Sequence, residues 1–172
     1  YSVTDRTRTD AFVDSLCAQI RGAAQIAKEP VDTVFFGGGT PSLLSVKQLE
    51  RVFCALTAFS IAPDAEISME VNPATANEAA FRAYRALGVN RLSIGMQSAS
   101  DRELKWLSRV HSAADTVKTV RELTRAGFDN FNLDLIYGLK EQTARDFEAS
   151  VCAALELCPT HLSLYALTLS ET

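Results

Sequence analysis

The chain has 172 residues, 47% hydrophobic and 22% charged, with a net charge of −4. That length and balance suit one folded domain with a sizeable core and exclude a disordered chain. An acidic total without any basic run leaves no electrostatic case for a nucleic-acid partner. No apolar segment nears the roughly 20 residues that span a bilayer, and Tyr1 to Asp10 is polar, so we expect no transmembrane segment and a cytoplasmic location.

Periodicity predicts a first helix over 7–28 and then an apolar strand over 33–36. That strand runs into Gly37-Gly38-Gly39-Thr40-Pro41-Ser42. Three consecutive glycines cost backbone entropy and serve no apolar core; they fit a sharp strand exit where a ligand touches bare backbone. Ser45 marks the start of a helix over 45–60, followed by a strand over 66–71. Thr75 is the expected N-cap of a helix over 75–87, which Gly88 ends. Next come a strand over 91–96 and a short helix near 101–107 whose Trp106 reads as core. Ser112 opens a helix over 112–126, Gly127 closes it, and a strand over 130–136, a helix over 143–157 and a strand over 162–167 complete the chain. Such alternation is that of a parallel sheet with right-handed crossovers, and all of 1–172 reads as one domain.

The strands alternate polar and apolar residues, where parallel strands buried on both faces read as continuous Val, Ile and Leu. Glu70, Asn72, Gln97, Asn132, Asp134 and Tyr165 fall on one face, a polar wall better suited to a ligand cavity than to a filled barrel. The glycine loop, Glu70, Gln97 and Asp134 also sit near the C-terminal ends of their strands, the edge where α/β sheets and barrels bind ligands.

Glu70 can anchor a ligand amine or hydroxyls, or form a structural ion pair. The Gln97 amide suits a ribose or a carboxylate. Asp134, among Leu133, Leu135 and Ile136, needs a protein donor or a ligand. Arg109 is either a carboxylate clamp or an ordinary surface residue. His111 and His161 read as hydrogen-bonded structural residues. Cys17, Cys54, Cys152 and Cys158 have neither a zinc spacing nor a disulfide framework, and are expected to be buried free thiols.

Taken together, 35–42 (FFGGGTPS), 70–73 (EVNP), 91–98 (RLSIGMQS), 109–111 (RVH), 132–139 (NLDLIYGL) and 162–165 (LSLY) resemble the radical S-adenosylmethionine family. Within it they are similar to the branch of oxygen-independent coproporphyrinogen III oxidases and haem chaperones. The resemblance implies a partial (β/α)6 TIM-like barrel. It also implies that Gly38, Gly39 and Thr40 hold the methionine part of S-adenosylmethionine, and that Glu70, Gln97, Arg109 and Asp134 contact its amino-acid and ribose parts. For an oxidase it implies oxidative decarboxylation of a porphyrinogen propionate through a 5′-deoxyadenosyl radical. For a chaperone it implies haem binding and delivery to an acceptor protein. The 97–98 and 109–111 pairs lean towards the chaperone, while Lys140-Glu141 departs from the branch pattern.

Members hold a [4Fe–4S] cluster on a C-x3-C-x2-C loop, and this spacing is absent from the 172 residues. The chain is therefore expected to be a fragment that starts after that loop and the first barrel strand. Such a fragment would leave the 33–36 strand as an apolar edge open to dimerisation. The other readings are a cluster-less binding module without enzymatic activity and an unrelated barrel with a phosphate-binding glycine loop.

Overall fold

Side-chain chemistry fixes most of the helix starts. In the computed structural model, which describes residues 6–168, Ser45 caps α2 (Val46–Leu56) and Ser112 caps α5 (Ala113–Arg125), each in a reciprocal capping box, with Gln48 and Asp115 respectively. Thr143 and Asp146 do the same for α6 (Ala144–Glu156). α3 (Glu78–Leu87) is capped by Asn77, whose side chain accepts from the Ala80 N–H, and not by Thr75. The Thr75 hydroxyl instead donates to the Asn72 carbonyl at 2.6 Å, which keeps residues 73–76 in a turn and starts the helix later. Gly88, in the left-handed region at φ 109°, ends α3 as expected.

The remaining elements are α1 (Arg6–Ala24), β1 (Val31–Phe36), a 3-10 turn at Pro41–Leu43, β2 (Ile61–Val71), β3 (Arg91–Gln97), α4 (Asp101–Trp106), β4 (Phe131–Tyr137) and β5 (His161–Ala166). α1 and α2 are shorter than their periodicity implied, and β2 begins five residues before its expected start at 66. Residues 61–65 lack apolar alternation, but Val31 pairs with Ile61 and draws them into the sheet.

The five strands are all parallel and lie in chain order, β1-β2-β3-β4-β5, as a curled half-barrel. The partial (β/α) barrel is therefore the observed fold. Core-facing apolar residues of β2, β3 and β4, namely Met69, Leu92, Ile94, Leu133 and Leu135, are fully buried with Leu49, Phe81, Leu123 and Phe128, whereas Phe35 of β1 is exposed. A second cluster packs α1 on α2 through Val13, Cys17, Val52 and Ala55. The Phe36 and Phe53 rings stack at 5.2 Å where the two clusters meet.

Two burial expectations fail. Only Cys17 is buried; Cys54, Cys152 and Cys158 are exposed, because each lies on the outer side of its helix or beyond its end. Trp106 is also exposed, while its neighbour Leu104 fills the core position. α4 is only six residues long and has one inward face, which Glu103 and Leu104 occupy.

Candidate functional site

The strand register fixes which residues share the concave face. Thr33, Phe35, Glu66, Ser68, Glu70, Arg91, Ser93, Asn132, Asp134, His161, Ser163 and Tyr165 lie in lateral rows: Phe35 opposite Ser68, Glu70 opposite Ser93, Ser93 opposite Asn132, Asp134 opposite Ser163. The polar wall read from the alternation is thus a continuous surface.

At its β1 side, the Glu70 Oε2 accepts from the Gly38 N–H at 3.1 Å, so the carboxylate reaches across the sheet to the glycine loop. Gly38 and Gly39 have φ of 72° and 45°, and the space where their side chains would point is open. The loop can therefore approach a ligand along bare backbone. Thr40 is tied down beneath them: the Asn72 amide donates to its hydroxyl at 3.2 Å. The Ser42 hydroxyl accepts from the Asn72 N–H and lies 2.6 Å from the Thr75 hydroxyl.

In the centre, Asn132 is the hub. Its Nδ2 donates to Ser93 Oγ at 2.7 Å and to Asp134 Oδ1 at 2.6 Å. Its Oδ1 accepts from Ser163 Oγ at 3.1 Å and lies 2.7 Å from His161 Nδ1, which makes that nitrogen the donor. Ser93 Oγ in turn donates to Asp134 at 3.2 Å. The partners that Asp134 requires are therefore protein donors, and a carboxylate oxygen still has lone pairs for a ligand.

Gln97 ends β3 at φ 65°, in the left-handed region. A Cβ at position 95 would come within 2.7 Å of the Gln97 amide nitrogen and 3.2 Å of Asn72 Oδ1. Gly95 thus makes room for the Gln97 side chain to fold back over the strand towards Asn72. The bulge between Ile94 and Gln97 in the pairing with β4 gives that local bend.

Arg109 stands apart. Its backbone N–H bonds the Leu104 carbonyl, and among the described residues no hydrogen bond or ion pair joins its side chain to Glu70, Gln97 or Asp134. Its charge is felt at His111, which is 5% exposed with Nε2 3.4 Å from the Met96 carbonyl. Burial pushes the His111 pKa below its usual 6.5; the Met96 carbonyl and Asp115 oppose the shift, and Arg109 adds to it. Both histidines have hydrogen-bond partners within the chain, Met96 for His111 and Asn132 for His161. The wall's Arg91 pairs with Glu66 at 3.0 Å, the lumen ion pair that one reading gave to Glu70.

Two clusters were not singled out as sites by sequence reasoning: the Ser42–Asn72–Thr75 brace and the Ser93–Asn132 pair. Alternation placed Asn72 and Asn132 on the wall but could not say that they bond sideways. Serines at 42 and 93 carry no signal of their own.

A profile of the Radical SAM superfamily matches residues 7–151. The chain belongs to that superfamily. The radical SAM domain is 42% identical to the heme chaperone HemW of Synechocystis over 159 residues, covering 92% of this chain and 38% of that protein. It is 42% identical to heme chaperone HemW of Escherichia coli over 140 residues, covering 81% of this chain and 37% of that protein. The structure of the Escherichia coli coproporphyrinogen III oxidase HemN superposes with a TM-score of 0.88 at 31% identity, covering 96% of this chain and 39% of that one. The chain thus spans about two fifths of the length of these relatives. By name these relatives are heme chaperones and a coproporphyrinogen III oxidase, the latter a radical SAM enzyme.

The superfamily uses S-adenosylmethionine with a [4Fe–4S] cluster. Two carboxylates, two amides and a side-chain-free loop on one edge fit a ligand carrying both an ammonium–carboxylate pair and ribose hydroxyls. The cluster does not fit this chain's residues. The four cysteines at 17, 54, 152 and 158 lack the three-thiolate spacing. Among the described residues no group of three His, Cys, Asp or Glu is placed to hold a metal. No helix among them is long and apolar enough to cross a membrane.

Proposed function

We propose that this radical SAM domain is the S-adenosylmethionine-binding core of a haem-chaperone-type protein acting in the cytoplasm. The observation that carries it is the Glu70–Gly38 bond, which joins the glycine loop to the polar wall at the strand ends. Gly38, Gly39 and Thr40 take the methionine moiety against backbone. Glu70 accepts from its ammonium, while Asp134 and Gln97 bond the ribose hydroxyls. Arg109 is assigned the ligand carboxylate from its match to the family motif at 109–111. S-adenosylmethionine is the ligand that this edge of the sheet would hold. The residues of this chain bind and orient it.

The chaperone reading over the oxidase rests on the higher identity to the heme chaperone relatives than to the oxidase, 42% against 31%. Haem then docks on the same domain for transfer to an acceptor protein.

Calorimetric titration with S-adenosylmethionine tests the pocket. Saturable binding that Glu70→Ala and Asp134→Ala both weaken supports it; binding indifferent to both, or none, overturns it. Haem titration with a visible absorbance band supports the chaperone. Porphyrinogen decarboxylation by the intact protein supports the oxidase instead.

A further inference from the structure

Gln97 sits at the centre of a three-residue turn. The Ser98 N–H donates to the Met96 carbonyl at 2.8 Å while Gln97 holds φ 65°, a strained geometry for a residue with a side chain. Such a turn persists only where its surroundings hold it. The holding groups are buried just behind it.

Ser98 is fully buried, and its hydroxyl donates to Glu103 Oε2 at 2.6 Å while accepting from the Ser100 N–H at 2.9 Å. Ser150 of α6 accepts from the Ala99 N–H at 3.1 Å. Glu103, on α4, is 3% exposed. The same Oε2 accepts from Gln142 Nε2 at 3.1 Å. The other end of that amide, Oε1, accepts from the Gly138 N–H at 2.9 Å, closing the turn by which the chain leaves β4 beyond Asp134. One carboxylate oxygen therefore ties the loop after β3 to the loop after β4.

The second oxygen of Glu103 is buried and has no partner among the described residues. An orphaned acceptor of this kind weakens a fold. A leucine would fill the same inward position of α4 without it, so what the carboxylate adds is the bridge.

We propose that Glu103 is a positioning residue for the ligand edge. Through Ser98 and Gln142 it makes the Gln97 turn and the Gly138 turn order as one unit. It touches no ligand itself, and its effect on cofactor affinity rests on Gln97 contacting the cofactor as proposed above.

Backbone hydrogen exchange on the chain without ligand reads the tie directly. With Glu103→Leu, exchange at Ser100 and at Gly138 rises together by about tenfold, while Ile94 and Leu133 in the strands keep their protection. Glu103→Gln keeps an acceptor oxygen and retains most of the protection at both turns. Gln142→Ala cuts the tie at its far end without placing an apolar group, and it too exposes Ser100; this variant decides the matter if Glu103→Leu does not fold. An unchanged Ser100 in Gln142→Ala, or a uniform loss of protection across the sheet in every folded variant, overturns the tie.

Titration with S-adenosylmethionine reads the consequence. Gln97→Ala and Glu103→Leu each weaken binding about tenfold, and together no more than either alone, while Glu70→Ala adds its own loss. Full affinity in Glu103→Leu beside weakened Gln97→Ala overturns the positioning role alone. Full affinity in Gln97→Ala overturns the assigned cofactor contact, and the exchange data then still decide the tie.

Discussion

The two faces of the same strands differ sharply. On the helix side, the side chains of Leu92, Ile94, Leu133 and Leu135 are sealed from water inside the apolar core. On the concave side, their immediate neighbours Ser93, Asn132 and Asp134 form a laterally hydrogen-bonded row of polar groups. One residue's step along β4 thus changes its task from holding the fold to presenting chemistry. The lesson is that stability and recognition are separated by the period-two geometry of a strand, so they can be perturbed independently.

The largest expected effect is on the apolar side. Leu133→Ala costs about 2–5 kcal/mol of unfolding free energy, because a fully buried side chain leaves a cavity. The protein that remains folded keeps its affinity for S-adenosylmethionine. Denaturant unfolding paired with ligand titration checks both halves. Asp134→Ala, one residue along, shifts the weight: affinity falls by about tenfold or more, while stability falls by about 1–3 kcal/mol as the Asn132 amide and the Ser93 hydroxyl lose their acceptor. A Leu133→Ala chain with weakened affinity, or an Asp134→Ala chain with full affinity, would break the comparison.

Smaller effects sharpen it. Asn77→Ala removes the N-cap of α3 and lowers stability by about 1 kcal/mol, without altering ligand affinity, since the cap lies outside the concave face. The smallest effect is a pH dependence. His111 has its pKa lowered in the fold, chiefly by burial, so the unfolded chain binds the proton more readily. Its contribution to stability is therefore intact above the unfolded value of 6.5 and declines as pH falls through the window below it. A His111→Gln chain loses that part of the slope in thermal unfolding measured across the window.

Much of this was legible in the sequence because local rules and tertiary structure agree. Ser45, Ser112 and Gly88 do what their residue types favour, and the alternation in 66–72 and 130–135 maps directly onto the two faces. Thr75 misled because its hydroxyl found a carbonyl in the preceding turn before it could cap a helix. Trp106 misled because a two-turn helix has only one inward face, which Glu103 and Leu104 fill. Asp134 was seen to need partners, but their identity depended on strand register, which brings Ser93 and Asn132 beside it. The Glu103 bridge was invisible for the same reason: its partners Ser98 and Gln142 come from two different loops. Arg109 matched its motif, yet among the described residues no hydrogen bond or ion pair joins its side chain to Glu70, Gln97 or Asp134, so a motif position alone does not supply geometry.

The most direct test of the central claim is amide chemical-shift mapping of the ¹⁵N-labelled chain during titration with S-adenosylmethionine. The account predicts saturable shifts at Gly38, Gly39, Thr40 and Gln97 and at the amides flanking Glu70 and Asp134, with α1 and the outer sides of α3 and α5 unmoved. Shifts confined to the helix-covered side, or a spectrum unchanged by the ligand, would contradict it.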